Sequence, residues 1–310
     1  MQFYNEIKKI LPKSIKLCIN SFLRFPFYLK AKKDPKWITD RNYYNIFEKP
    51  INYDNPSDLN EKIHWLKFYS DTSQWSRLAD KYKVREYVIE KGLEHILNEL
   101  YAVYEKASEI DIAKLPDSFV MKMNNGSGDI LIVEDKSQYT NKEVEKYFKK
   151  FKEYGVMLGE YHYLKIEPRI IVEKLLVENN NAESLIDYKF YCFDGTVRYV
   201  LVCSGRSKKG VTFDTYDVDW NYLENVGVIS GHYLLGKGLC KKPASFDQMI
   251  EICQTLSKDI PFVRIDLYEI DGVPVFGEMT LTPAAGFITY YNAEFLKGLG
   301  QHINLPKKTI

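Results

Sequence analysis

The sequence predicts an α+β protein, and three features predict it. Strand-forming runs dominate from residue 119 onward, at FVMKM, ILIVED, RIIVEKLL, DYKFYCF, TVRYVLV, FVRIDLYEI and VPVFGEM. Short turns, not crossover helices, join most of these runs, which favours antiparallel pairing. Helical periodicity is segregated, concentrated before the strands and returning only near 141–154 and 245–258.

The elements follow in chain order. Residues 1–36 hold nine Lys/Arg against Glu6 and Asp34, a balance of +7 in a chain whose net charge is +1. Ile15, Cys18, Ile19, Phe22 and Phe25 recur there at helical spacing between Pro12 and Pro26. The stretch is too short and too charged to span a bilayer, and it lacks a signal peptide's apolar core. Two readings fit: an interfacial helix at an anionic membrane, or a helix packed on the domain with its lysines in water. Residues 37–60, with Pro50, Pro56 and several Asn and Asp, read as an irregular connection. LNEKIHWLKFYS and RLADKYKVREYVIEKG read as two helices, the second stopping at Gly92.

The strand at 119–123 carries a lysine, Lys122, and runs straight into an Asn-Gly-Ser-Gly loop at 125–128. Alternation puts Phe119, Met121 and Met123 on one face and Val120 and Lys122 on the other. The lysine therefore need not enter the core; an internal carboxylate or a ligand's phosphates would satisfy it.

Two hairpins are legible. Asp194-Gly195 is a two-residue hairpin signal, and its register sets Tyr191 opposite Arg198, with Lys189 diagonal to Arg198 on one face. An anion, a nearby carboxylate or plain solvation would relieve that repulsion. At Asp271-Gly272 the register decides more. A two-residue loop puts Asp266 and Glu278 on opposite faces, because strand periodicity is two. A three-residue loop with a Gly272 bulge gathers both carboxylates with Arg264, Thr280 and Thr282 on one face, a set suited to a divalent cation and a phosphate. The sequence leaves both registers open.

Composition narrows the class. The chain has 310 residues, 45% hydrophobic and 27% charged, enough for a sizeable core and about two subdomains. Its five cysteines and five histidines are scattered, without metal-ligand spacing, which gives zinc no support and fits a reducing cytosol. No Walker A pattern and no kinase signature set occurs. The chain beyond the basic head is net acidic with interspersed lysines, so nucleic acid is not an expected partner.

Over about residues 58–292, the segments LNEKIHWLK, LADKYKVREYV, KLPDSFVMKMNNGSGD, DYKFYCFDG and VRIDLYEIDGVPVFGEMTLTPAAGF occur in an order that resembles the ATP-grasp superfamily, in which two α+β subdomains close over ATP. More narrowly, it resembles the TupA-like branch, named for teichuronopeptide biosynthesis. The resemblance implies four regions: a basic extension and linker at 1–57, a helical region at 58–115, a first ATP-grasp subdomain at 116–178 and a second at 179–310. It implies ATP and Mg²⁺ as cofactors. Lys81 and Lys122 match the two lysines of the family, Lys122 contacting phosphates. Asn125, Gly126, Ser127 and Gly128 match the flexible phosphate lid. Glu173, Lys174, Leu175 and Leu176 match the hinge whose backbone reads adenine. Lys189 and Arg264 would face phosphate oxygens, and with Lys122 they are the catalytic candidates. Asp266 and Glu278 match the metal-binding acids. Where most superfamily members carry E-x-N, this chain reads Glu278-Met279-Thr280, so the third ligand is a hydroxyl or a water.

The activity implied is an ATP-dependent carboxylate–amine ligase, joining an amine or amino acid to a uronic acid of a capsular or cell-wall glycan or its lipid-linked precursor. The expected location is the cytoplasm, at the inner membrane face if residues 1–36 make peripheral contact. A glycosyltransferase using Asp217-Val218-Asp219 is one rival, and an ATP-grasp binding protein without catalysis is another. The loop SGRSKKG at 204–210 is a lesser candidate for an anionic acceptor.

Overall fold

A computed structural model describes residues 25–126, 128–149, 155–177, 185–207 and 209–309. Ser127, residues 1–24 of the basic head and Lys208 of the SGRSKKG loop lie outside the described residues. Residues 25–33 are helical, and α1 (Pro35–Phe47) follows. This corrects the expectation of an irregular segment from residue 37. Asp34 accepts the N–H of Trp37 and Pro35 takes the first helical position, a start signal whose effect extends past the basic head. Ile38, Thr39 and Tyr43 form its buried face.

Helix α2 (Leu59–Tyr69) starts at the Asp58 cap, which accepts from the Glu61 N–H, and is buried on nearly every side. The next predicted helix is broken in two, α3 (Trp75–Ala79) and α4 (Val84–Glu90). Asp80 causes the break: its carboxylate accepts from the Tyr82 and Lys83 N–H groups and the Asn124 amide, so it starts a new helix instead of continuing the old one.

A four-stranded antiparallel sheet has the order β1-β4-β2-β3, from β1 (Leu100–Tyr104), β2 (Phe119–Met123), β3 (Ile130–Val133) and β4 (Ile170–Glu173). Its strand β1 lies ahead of residue 116, where the sequence suggested that this subdomain begins. Helix α5 (Asn141–Phe148) covers one face through Val144 and Phe148, which are buried with Phe119, Met121 and Val172.

The larger sheet runs β10-β9-β5-β6-β7-β8. It comprises β5 (Asp187–Phe193), β6 (Thr196–Ser207), β7 (Gly210–Asp217), β8 (Tyr233–Leu235), β9 (Val263–Ile270) and β10 (Val273–Thr280), antiparallel except for the β7–β8 pair. Helix α6 (Phe246–Ser257) packs on β5, β6 and β9 through Phe246, Met249, Ile252, Cys253 and Leu256, spaced three and four residues apart. Helix α7 (Ala293–Gln301) packs against α2. The main core lies between these helices and the six-stranded sheet. Among the described residues no helix is long and apolar enough to cross a membrane.

The Asp194-Gly195 hairpin has its two-residue turn, both residues at positive φ, but its register differs from expectation. A bulge at Arg198 sets Tyr191 opposite Tyr199. Arg198 is turned to solvent and does not share a face with buried Lys189. The repulsion expected between them is absent because the extra residue carries the cation outward.

Candidate active site

The strands β5, β9 and β10 build the site by register. Lys189 pairs with Asp266, and Asp266 with Glu278; in the next row Tyr191 pairs with Arg264, and Arg264 with Thr280. Residues directly opposite across neighbouring strands point to the same face, so one acidic and basic row crosses three strands. The turn that makes this possible is unlike either sequence-based option. Asp271 and Gly272, both at positive φ, form a two-residue loop between Ile270 and Val273, and the parity changes further along, at a bulge between Phe276 and Glu278. Gly277 is the extra residue. A Cβ there would lie 2.8 Å from the Asp266 carbonyl oxygen, so the bulge needs glycine for the close approach of two backbones.

Arg264 grips Asp266 with two bonds, Nε to Oδ1 at 2.6 Å and Nη2 to Oδ2 at 2.7 Å. Its Nη2 also reaches Glu278 Oε1 at 3.3 Å and Thr280 Oγ1 at 3.2 Å. Lys189 Nζ donates to Asp266 and pairs with Asp187, a carboxylate that the sequence reading missed. Its signal was available, since residues 187 and 189 alternate onto one strand face. Lys81 joins this row from the other side. Its Nζ lies 2.9 Å from Glu278 Oε2 and donates to the Gly126 carbonyl at 3.0 Å, while its backbone N–H donates to Asn124 O. Because Lys81 follows the Asp80 break, it occupies a bent connection that reaches both the 124–126 loop and the acidic hairpin.

Charge balance explains the electrostatics. Lys81, Lys189 and Arg264 face three carboxylates, Asp187, Asp266 and Glu278, and the exposed Arg206 approaches Asp187 Oδ2 at 3.7 Å. Burial would raise the Glu278 carboxyl, but Lys81, Arg264 and Lys189 outweigh it and hold the group well below its usual range. Burial would lower the Lys189 ammonium, and Asp266 with Asp187 instead pushes it up. Burial raises Asp187, with Lys189 opposing, and its Oδ1 is a buried oxygen without a hydrogen-bond partner.

The second predicted lysine sits in a separate cluster. Lys122, on the half-buried face of β2, pairs with Glu173 Oε2 at 2.7 Å, and Arg85 approaches Glu173 Oε1 at 3.4 Å. Arg85, on α4, was also missed by the sequence reading. Lys174 is exposed, with its backbone N–H on Glu99 O and its carbonyl accepting from the Asn98 amide; Leu175 and Leu176 are half-buried. Asn125 is buried with an unpartnered Oδ1, Gly126 is half-buried, and Gly128 is exposed at φ 93°. Asp217 of the D-x-D accepts from the Asp219 and Asn221 N–H groups and the Asn221 amide, which makes it the organiser of a turn.

Two residues after Thr280, Thr282 donates to buried Glu160, and Lys67 donates to Thr39. Two enclosed imidazoles lie nearby. Burial and the Lys67 charge lower His162 to about 3, and the same two causes push His64 well down. Both rings are thus neutral in the folded protein but gain a proton below pH 6.5 when it unfolds. Stability is expected to fall as pH drops from 6.5 towards 3, by about 1.4 kcal/mol per pH unit for His162, and His64 adds a loss of the same sign. Urea midpoints measured from pH 7 to 5 should decline, and His162→Phe should make that decline shallower.

The profile of the TupA-like ATP-grasp family matches residues 61–304. The chain belongs to that family. The match spans the broken helix of Lys81, both sheets and the bulged hairpin, so the ATP-grasp fold expected from the sequence is the fold of this family member. No curated protein matches the sequence significantly. Among solved structures, a D-alanine–D-alanine ligase from Bacillus anthracis complexed with ATP is 12% identical, with 73% of this chain and 65% of that one covered at a TM-score of 0.44. The ATP-grasp ligase PsnB complexed with a minimal precursor is 13% identical, with 76% and 61% covered and a TM-score of 0.44. The Helicobacter pylori D-alanine–D-alanine ligase is 14% identical, with 81% and 68% covered and a TM-score of 0.42. This TupA-like chain therefore spans less than two thirds of the first two structures. Likeness at these identities concerns fold and says nothing of substrate.

Proposed function

We propose that this ATP-grasp family member is an ATP-dependent carboxylate–amine ligase that uses Mg²⁺ and forms an amide through an acyl phosphate. The observation that carries the reading is the Lys189–Asp266–Glu278 row, tied through Lys81 to the Gly126 carbonyl of the glycine-rich loop. The bound nucleotide supplies a phosphoryl group, and its metal neutralises phosphate charge. The donor set fits such a metal. Asp266, Glu278 and the Thr280 hydroxyl are hard oxygens on one face, and Asp187 adds a buried oxygen that lacks a partner. Among the described residues no group of three or more His, Cys, Asp or Glu could hold a metal alone. That suits Mg²⁺, which is commonly held by one or two carboxylates together with substrate phosphates.

In this reading Asp266 and Glu278 would hold the metal, and Lys81, Lys189 and Arg264, which pair with carboxylates in this structure, would meet phosphate oxygens. The exchange keeps the site near neutrality, so a polyanion enters without leaving a buried charge unpaired. Lys122 meets phosphate from the smaller sheet, with Glu173 and Arg85 orienting it. In the Glu173–Leu176 hinge the Lys174 backbone is held by Glu99 and Asn98, so the backbone of Leu175 and Leu176 would read adenine, and Asn125, Gly126, Ser127 and Gly128 close over the phosphates and exclude water. A substrate carboxylate oxygen attacks the γ-phosphorus and ADP leaves. An amine nitrogen then attacks the acyl carbon, expels phosphate and loses a proton. No nucleophilic side chain is required.

The finer reading is that the carboxylate belongs to a uronic acid of a capsular or cell-wall glycan or a lipid-linked precursor, and that the amine is an amino acid. Exposed Phe25 and Leu29, within the basic head, support peripheral contact with the inner face of a membrane. The glycosyltransferase alternative loses its motif to the Asp217 turn. ADP release in a matrix of uronic acids and amino acids tests the reading. Turnover is expected only when both are present; none with any pair would favour the non-catalytic alternative, and turnover with neither would overturn the ligase reading.

A further inference from the structure

On the opposite face of the six-stranded sheet from the Lys189–Asp266 row lies a cavity of about 700 Å³ that the ligase chemistry does not use. Its lining includes Ser204, Thr212, Asp214, Leu235, Lys237 and Lys241. Ser204 and Thr212 sit opposite each other across β6 and β7, and Asp214 follows on the same face two residues later. Asp214 is buried in this lining, where its Oδ1 accepts the Gly238 N–H at 2.8 Å. The segment Gly236-Lys237-Gly238 wraps this carboxylate so closely that a Cβ at Gly236 would lie 2.1 Å from Asp214 Oδ1. Lys237 of this wrap and Lys241 also line the cavity and are exposed, and neither ammonium has a carboxylate partner among the described residues. Leu235 and Leu239 are 46% and 79% exposed beside them.

We propose that this cavity binds an acidic oligosaccharide. A recessed carboxylate and two hydroxyls call for a ligand rich in O–H donors, while the unpaired lysines call for an anion. Exposed leucines suit the apolar face of a sugar ring. A nucleic acid or polyphosphate would meet the Asp214 charge in the lining, and a flat membrane surface would not fill a concavity of this size. The site deepens the ligase reading, on which it rests for its biological sense. It would hold a stretch of acceptor chain away from the reacting carboxylate.

Isothermal titration of the full chain without ATP tests this. Trigalacturonate should bind at least about tenfold tighter than maltotriose, and Lys237→Ser with Lys241→Ser should remove about tenfold of that affinity. The same double variant should keep wild-type ADP release with monomeric galacturonate and an amine. Lysine-dependent trigalacturonate binding upholds the cavity assignment even if no ADP is released with any substrate pair. No binding, binding indifferent to the two lysines, or lysine-dependent binding of phosphatidylglycerol vesicles in place of trigalacturonate overturns it.

Discussion

Asp266→Asn is expected to reduce ATP-dependent turnover by about a thousandfold or more. One uncharged amide replaces the carboxylate that Arg264 grips with two bonds and that Lys189 also meets. In the proposed chemistry that carboxylate becomes a metal ligand, and losing one preorganised charge at a phosphoryl-transfer site costs about 10²–10³ in rate before the metal's own contribution. The side chain is only 2% exposed, so the substitution also leaves two buried cations with one fewer anion. Stability should fall by about 3–5 kcal/mol, as when one partner of a buried ion pair is removed. Steady-state ADP release and urea unfolding on the same preparation separate the two effects. Lys122→Ala provides the contrast. Its partner Glu173 retains Arg85, so turnover should collapse while the unfolding midpoint moves much less. Full turnover in either variant would sink the assignment.

Gly277→Val should disable the site without touching any charged group. The added Cβ would meet the Asp266 carbonyl oxygen at 2.8 Å and Tyr268 Cε2 at 3.1 Å, one backbone contact and one aromatic. Neither yields cheaply, so the overpacking penalty should be about 1–3 kcal/mol. Relief comes by expelling the extra residue, and a one-residue slip would turn Glu278 to the face opposite Asp266. Turnover should fall by about a hundredfold or more, with loss of Mg²⁺-dependent nucleotide binding measured by titration. A variant with normal turnover would show that the bulge does not set the geometry of the acids.

These expectations depend on features of unequal legibility in the sequence. Alternation placed Lys122 opposite Phe119, Met121 and Met123 before any coordinates, and the structure has that pattern. The Asp-Gly pairs marked both hairpin turns, because a two-residue turn with positive φ at both positions strongly favours those residues. The bulges at Arg198 and Gly277 were not legible. A bulge is a compromise between two strands and the layers that pack on them, and a single glycine in a strand is only a hint of it. The same limit applies to β1, β7 and β8, which went unpredicted, and to the helix broken at Asp80. There a side-chain bond to Asn124, 44 residues away, overrides local helical propensity.

The sequence by itself determined the family, the α+β class and the chemical types at the site, since ordered motifs and periodicity are local properties of the chain. Tertiary structure alone decided which charges meet. Glu278 joins Asp266 through a one-residue slip in register, and Asp187 enters as a third carboxylate. Lys122 pairs with Glu173, whereas Lys81 is the lysine that links the loop to the acids. The physical reason is parity. Strand side chains alternate, so one unpaired residue decides whether two acids share a face, and that residue is placed by contacts between segments far apart in the sequence.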